Sequence, residues 1–218
     1  MASSMVSATL RPEIQYATLA QQGEVAQLGM WVFLATETLF FGALIFTYYI
    51  YRLSYPEAIA HASKDAVLWC GSVNLVLLLT SSLTMVLAIN AAAQGRAHAA
   101  ARWLLTTIGL GLCFLAVKGY EYVADYSDHV VPAFNFSLKP GDAPAGELFW
   151  VYYFVATGLH AVHVTTGLGL LTYILWRLRQ GRISAAYYAP IEVVGLYWSF
   201  VDTVWVFLYP TIYLAGRS

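Results

Sequence analysis

Apolar residues in this chain lie in long uninterrupted blocks. Five blocks of 21 to 29 residues are nearly free of charge; they cover residues 28–51, 66–93, 103–123, 148–176 and 190–216. Each block is long enough for a helix to cross a bilayer core, which takes about 20 residues. A transmembrane barrel would need alternating segments of about 10 residues, and these are absent. The pattern predicts an all-α polytopic membrane protein, a bundle of five transmembrane helices.

Composition supports the same class of protein. Charged residues make up 11% of the 218 residues, against about 25% in soluble domains. The five blocks hold 5 of the 23 charges, and the other 18 lie in the connections. The net charge of −1 provides no basic surface for nucleic acid, so no nucleic-acid partner is expected. No nucleophile, zinc-protease or phosphate-loop motif occurs, so we expect no catalytic centre in this chain.

The segments outside the blocks define the predicted organisation. Residues 1–27 lack the apolar core of a signal peptide, and we interpret them as a cytoplasmic lead-in to a membrane domain over residues 28–216. Residues 124–147 form the longest predicted connection, which we expect to cover the bundle or to contact a partner. No internal repeat is evident, which disfavours an inverted-repeat transporter.

Basic residues in the connections predict the orientation. With five spans, residues 94–102 and 177–189 lie on the side of the N-terminus, and they carry five arginines and no acid. The connections on the other side mix basic with acidic residues. Because short basic connections stay in the cytoplasm, we expect the N-terminus there and the C-terminus outside.

An ionisable side chain inside a membrane costs free energy, so its presence there indicates a structural or functional role. Glu37, His160, His163 and Asp202 all fall near the middle of their spans; Glu37 lies about 13 Å from the start of its span. We predict that Glu37 lies close to His160 and His163, which are spaced i,i+3. Two interpretations stay open: a proton-linked or lipid-associated site, or hydrogen bonds that only join helices.

The remaining membrane polar groups are predicted to be structural. Trp198 and Trp205 flank Asp202 at helical spacing, so their indole N–H groups are expected to bind its carboxylate. Lys118 and Glu121 are expected to form an ion pair at the membrane interface, with Lys118 reaching toward water.

Metal binding is not expected. The histidines and cysteines show no metal-ligand spacing, and two membrane histidines are too few for a haem–copper centre. Cys70 and Cys113 both lie in apolar blocks and are interpreted as buried free thiols.

Four sequence blocks carry a resemblance to a known family. The first is GMWVFLATETLFF at residues 29–41, and the second is the Glu121-Tyr122 pair. The third is YFVATGLHAVHV at residues 153–164, and the fourth is YWSFVDTVW at residues 197–205. In this order they resemble subunit III of the haem–copper terminal oxidases, the cytochrome c oxidase subunit 3 family. Two positions depart from the family pattern: Ser199 stands where histidine is usual, and Ala161 replaces a glycine.

The resemblance implies an accessory role in a proton-translocating, O2-reducing complex. The chain would bind no haem or copper, which would lie in partner subunits. It would dock directly on subunit I, associate with subunit II and small subunits, and hold phospholipid. It would also support proton uptake and sustained turnover. The resemblance favours the bacterial inner (cytoplasmic) membrane over a mitochondrial inner membrane.

Seven-helix members of this family hold phospholipid in a cleft between their first two helices and the other five. This chain lacks the first two helices, so either another chain supplies that wall or the cleft is open. Two alternative functions stay open: a subunit III-like accessory protein of a nitric-oxide reductase, and a free-standing proton-coupled carrier.

Overall fold

The computed structural model describes residues 14–132, 134, 136–137, 145–185 and 187–214. This part of the chain is all-α, with six α-helices and one π-helical turn. In chain order these are α1 (Leu19–Ser54), α2 (Pro56–Asp65), α3 (Leu68–Ala93), α4 (Ala97–Ser127), α5 (Gly146–Arg179), α6 (Ala189–Tyr209) and the π-helical turn Pro210–Leu214.

Five of these helices are long and apolar enough to cross a membrane: α1, α3, α4, α5, and α6 with its π-helical turn. The predicted all-α bundle of five transmembrane helices is thus confirmed. We call the end of the bundle where α1 begins the near end, and the opposite end, where α2 lies, the far end.

Helix α2 is an addition to the predicted elements, since this segment was expected to be a connection. Pro56 begins the helix and Glu57 lies in its first turn, two features typical of a helix start. Ile59 and Ala62 are buried, and α2 packs on the start of α5, where Gly146 approaches Ala62. This short amphipathic helix therefore closes the far end of the bundle.

The helices extend beyond the predicted blocks. Helix α1 begins at Leu19, nine residues before the predicted span, and its 36 residues are about 54 Å long. The Thr18 hydroxyl accepts a hydrogen bond from the Gln21 N–H, and the Gln21 side chain accepts one from the Ala17 N–H. Part of the expected lead-in is therefore capped helix, and residues 1–13 lie outside the described residues.

The connections differ between the two ends of the bundle. At the near end, α3 and α5 each stop at a glycine in the left-handed region, Gly95 with φ +72° and Gly181 with φ +71°. The next residue in each turn donates its N–H back into the last turn of the helix, as in Arg96 to Ala91. At the far end, α4 runs to Ser127 and α5 begins at Gly146, and residues 138–144 of the predicted long connection lie outside the described residues.

Helix α6 lies at the centre of the bundle and α1 at its edge. Helix α6 contacts α1, α3 and α5, and its Trp198 ring fills the space beside Gly111 of α4 and Gly167 of α5. A Cβ added to Gly111 would lie 2.9 Å from the Trp198 ring, and one added to Gly167 would lie 2.8 Å from it. These glycines thus let a tryptophan pack between helices.

Candidate functional site

The narrow buried face of α1 brings Glu37 to the bundle. Leu34, Phe41 and Tyr48 are buried and lie seven residues apart, the spacing of a seam between two helices. Glu37 falls within this seam, three residues after Leu34. The seam therefore directs its carboxylate toward the rest of the protein and away from the surrounding membrane.

Glu37 meets His163 of α5. The Glu37 Oε2 atom lies 3.2 Å from His163 Nε2, and the two side chains remain 19% and 17% exposed. The Phe41 ring packs edge-on against the imidazole, and the Tyr197 hydroxyl of α6 donates to the His163 carbonyl at 3.0 Å. The predicted contact between Glu37 and a histidine is confirmed for His163.

The geometry of this pair determines how many protons it holds. His163 Nδ1 lies 2.8 Å from the Leu159 carbonyl oxygen, and a carbonyl can only accept, so Nδ1 carries a proton. One further proton must then lie between Nε2 and the Glu37 carboxylate for these atoms to hydrogen-bond. It belongs either to an imidazolium or to a neutral carboxyl group. The pair is thus built to share a single proton.

His160 does not join this pair, contrary to the expectation that both histidines lie beside Glu37. It is fully buried, 5.4 Å from the Phe114 ring and 5.0 Å from the Trp205 ring. Residues three apart on a helix point about 60° away from each other, and α5 has α1 on one side and α4 on another. This angle is enough to turn His160 into the interior.

Asp202 is held by a serine and not by the two tryptophans as predicted. The Trp198 indole N–H donates to Ser81 Oγ at 3.0 Å, and Ser81 Oγ lies 3.4 Å from Asp202 Oδ2. The Trp205 N–H has no hydrogen-bond partner among the described residues. The sequence spacing placed the indoles correctly along α6, but the serine of α3 was not predicted.

Lys118 and Glu121 form the predicted ion pair at 2.9 Å, but Lys118 does not reach toward water as expected. Both are buried, at 2% and 1% exposure. The Lys118 ammonium also donates to the hydroxyls of Tyr153 and Tyr213, and Tyr213 in turn donates to Glu121.

Two features of this buried cluster were missed from the sequence. The Tyr153 hydroxyl donates to Asp125 Oδ2 at 2.8 Å, and Asp125 was expected in a connection. The spacing i, i+3, i+7 of one helix face relates Lys118, Glu121 and Asp125. This spacing is the signal that could have placed Asp125 in the cluster. We call Lys118, Glu121, Asp125, Tyr153 and Tyr213 the far-end cluster.

The two cysteines differ from each other. Cys70 is buried as predicted, whereas Cys113 is exposed on the surface of the bundle; both thiols are free. Among the described residues, no group of three or more histidine, cysteine, aspartate and glutamate side chains lies close enough to hold a metal ion.

An open apolar groove runs between α1 and α6. Its volume is about 640 Å³, and its lining includes Trp31, Leu34, Leu39 and Phe200. Ser199, at the position where the resembled family has histidine, lies on the same groove. The lining has the chemistry of a surface for an acyl chain or an apolar helix.

Comparison with known proteins places this arrangement in a family. The sequence model described as "Cytochrome c oxidase subunit III" matches residues 14–217. The chain belongs to the cytochrome c oxidase subunit III family. Its five apolar helices and its bacterial relatives identify a multi-pass protein of a bacterial membrane.

Curated relatives of the subunit III family are similar over most of the chain. Cytochrome c oxidase subunit 3 of Alkalihalophilus pseudofirmus is 34% identical over 89% of this chain and 89% of its own length. That of Synechocystis sp. is 32% identical over 88% of this chain and 76% of its own length. Quinol oxidase subunit 3 of Bacillus subtilis is 29% identical over 90% of both.

The sequence blocks that resemble the subunit III family meet on α5. The first block supplies Glu37 to His163. The second supplies Tyr122, whose hydroxyl lies 2.7 Å from Thr157 Oγ1, and the fourth supplies Trp205, whose ring lies against His160. Helix α5 is therefore the element that assembles the family's characteristic residues.

Proposed function

We propose that this chain is the non-redox accessory subunit III of a haem–copper oxidase. It docks on subunit I, with subunit II and small subunits in the same complex, while haem and copper lie in those partners. In that complex it supports proton uptake and sustained turnover during O2 reduction. Membership of the subunit III family favours this function over the nitric-oxide reductase and carrier alternatives.

The observation that carries the proton-linked role is the Glu37–His163 pair. The Leu159 carbonyl fixes one imidazole proton, so the 3.2 Å contact holds a second proton that either partner can carry. The pair is partly exposed, so this proton can be exchanged with a partner surface. His160, predicted as part of the same site, is not included in this pair.

We place the near end in the cytoplasm and the C-terminus outside, in the bacterial inner membrane. Basic residues of the two near-end connections support this orientation. Glu37 then lies near the middle of α1, about 27 Å from the cytoplasmic start of the helix.

We further propose that the groove between α1 and α6 holds a phospholipid acyl chain. Its apolar lining and its opening at the surface of the bundle support this role. Ala35→Phe should fill part of the groove and reduce the phospholipid that co-purifies with the complex, measured by native mass spectrometry. Ala43→Phe, which adds the same ring outside the groove, is the control. Equal phospholipid content in both variants would contradict the proposal.

Removal of the chain from the purified complex tests the accessory role. The haem spectrum of the remaining subunits should be unchanged, and the initial rate of O2 consumption should persist. This rate should be slowed most at high pH, where protons are scarce, and activity should decay during turnover. Loss of the haem spectrum, or an unchanged pH profile with an unchanged turnover lifetime, would contradict the role.

A further inference from the structure

Buried polar side chains follow one face of α3 through the bundle. Cys70, Asn74, Ser81 and Thr84 are each buried. From the first to the last they span about 21 Å along the helix axis. Their regular placement on the face toward α4 and α6 gives the interior a polar row within an otherwise apolar bundle.

Two members of this row have protein partners close by. Ser81 contacts Asp202 and Trp198, and Thr84 Oγ1 lies 2.7 Å from Thr107 Oγ1. Asn74 differs: it is fully buried, and neither its amide nitrogen nor its carbonyl oxygen has a hydrogen-bond partner among the described residues. Such a group is rare in a folded protein unless water satisfies it.

Three further polar groups in the interior share this property. They are both ring nitrogens of His160, the indole N–H of Trp205 and the Oδ1 atom of Asp202. His160 and Trp205 are fully buried, and Asp202 is 3% exposed.

Contacts between neighbouring side chains bring these groups to one region. The His160 ring lies 5.0 Å from the Trp205 ring, and Trp205 follows Asp202 by three residues, less than one turn. Trp205 also lies 6.5 Å from the Tyr213 ring.

Helix α3 borders the same region. A Cβ added to Gly71, one turn before Asn74, would meet the Tyr213 ring at 2.6 Å. Asn74 therefore lies along α3 between the contact with Tyr213 and the contact of Ser81 with Asp202. The unpartnered atoms thus come from α3, α5 and α6, and the register of these helices brings them to the same part of the interior.

The donors and acceptors in this set indicate the chemistry of the ligand. The Trp205 N–H can only donate, Asp202 Oδ1 can accept, and Asn74 and His160 can do both. A metal cation cannot bind an N–H donor, and a lipid cannot enter an enclosed interior. Water both donates and accepts, and buried water typically makes about three hydrogen bonds to groups that lack protein partners.

We propose that Asn74, His160, Asp202 and Trp205 surround an internal site for ordered water molecules. This site extends the polar interior from the far-end cluster, where Lys118 Nζ lies 5.5 Å from the Trp205 ring, to Asp202 near the middle of α6. It is independent of the proton-sharing pair at α1 and goes beyond the accessory role proposed above.

A density map of the intact oxidase complex, at a resolution that shows ordered water, tests the site directly. Water density should lie within hydrogen-bond distance of the Asn74 amide and of at least one His160 ring nitrogen. A map in which both side chains contact only carbon atoms would overturn the proposal.

A double-mutant cycle tests it independently. Asn74→Leu and His160→Leu should each lower the midpoint temperature of the complex by at least about 2–4 °C, because each removes a partner of the same water molecules. The double variant should lower it by less than the sum, since the two sites share those molecules. Midpoints that stay or rise in the single variants would overturn the proposal, because removal of a dry, unpaired polar group should not destabilise.

The control for coupling is Thr84→Val, which breaks the direct contact with Thr107. Thr84 lies ten residues after Asn74, about 15 Å along α3. Its effect should therefore add to that of Asn74→Leu. If the effects of Asn74→Leu and His160→Leu also add, the result would contradict a shared water site.

Discussion

Two pairs of a carboxylate and a basic side chain lie within this bundle, and their surroundings differ. Lys118 and Glu121 are 2.9 Å apart with side chains 3% and 1% exposed, whereas Glu37 and His163 are 3.2 Å apart with side chains 19% and 17% exposed. The Lys118 ammonium is closed in by tyrosine hydroxyls and aromatic rings. The Glu37 pair lies at the edge helix α1, and His163 borders a second open groove, between α1 and α5.

Because of this difference in exposure, only the Glu37–His163 pair is available for chemistry with a partner. The enclosed pair has its hydrogen-bonding partners inside the protein. A pair at the edge is accessible to whatever packs on α1. We therefore expect changes to the far-end cluster to affect stability, and changes to Glu37 to affect function with little loss of stability.

The largest effect is expected from Lys118→Met. This change leaves Glu121 and Asp125 buried without the ammonium, and a broken buried pair costs about 3–5 kcal/mol. Less assembled complex and a lower midpoint temperature should result. The double variant Lys118→Met/Glu121→Leu should recover part of the loss, because it also removes one of the buried acids. A single variant as stable as the parent chain would show that the cluster is not a stabilising element.

A smaller effect is expected from Ser81→Ala. This change removes the acceptor of the Trp198 N–H and the contact to Asp202, and such unsatisfied buried groups cost about 1–3 kcal/mol. Denaturation of the complex, followed by tryptophan fluorescence, measures this loss. Thr80→Val, one residue away on the exposed face of α3, is the control and should change stability little. Equal effects of the two substitutions would contradict the role given to Ser81.

The smallest change in stability is expected from Glu37→Gln. Glutamine keeps a hydrogen-bonding group beside His163, and a partly exposed pair contributes about 0–1 kcal/mol. The midpoint temperature of the complex should therefore remain close to that of the parent chain. A loss as large as that of Lys118→Met would remove the distinction between the two pairs.

Much of the architecture could be predicted from the sequence, because each span needs a long apolar block. The same blocks could not reveal α2, whose ten residues have no membrane-like pattern, or the extension of α1 to Leu19, which depends on the cap at Thr18. Hydropathy detects what is apolar, whereas helix ends depend on local hydrogen bonds.

The sites could be predicted only in part, for a related reason. Spacing along one helix indicates which residues share a face, and it paired Lys118 with Glu121, whereas a shared depth in the membrane paired Glu37 with His163. It cannot show which neighbouring helix supplies the partner, so Ser81 was missed at Asp202. Nor did it show that His160, 60° away from His163 on α5, turns toward Trp205.

The pH dependence of O2 consumption by the intact complex that carries Glu37→Gln tests directly whether the Glu37–His163 pair acts in proton uptake. We expect a rate close to that of the parent complex at low pH and a progressively slower rate at high pH, with an unchanged haem spectrum. Thr36→Val, on the exposed face of α1, should follow the parent profile throughout. A Glu37→Gln profile that matches the parent at every pH, or that falls by the same factor at every pH, would contradict a role for the proton-sharing pair in proton uptake.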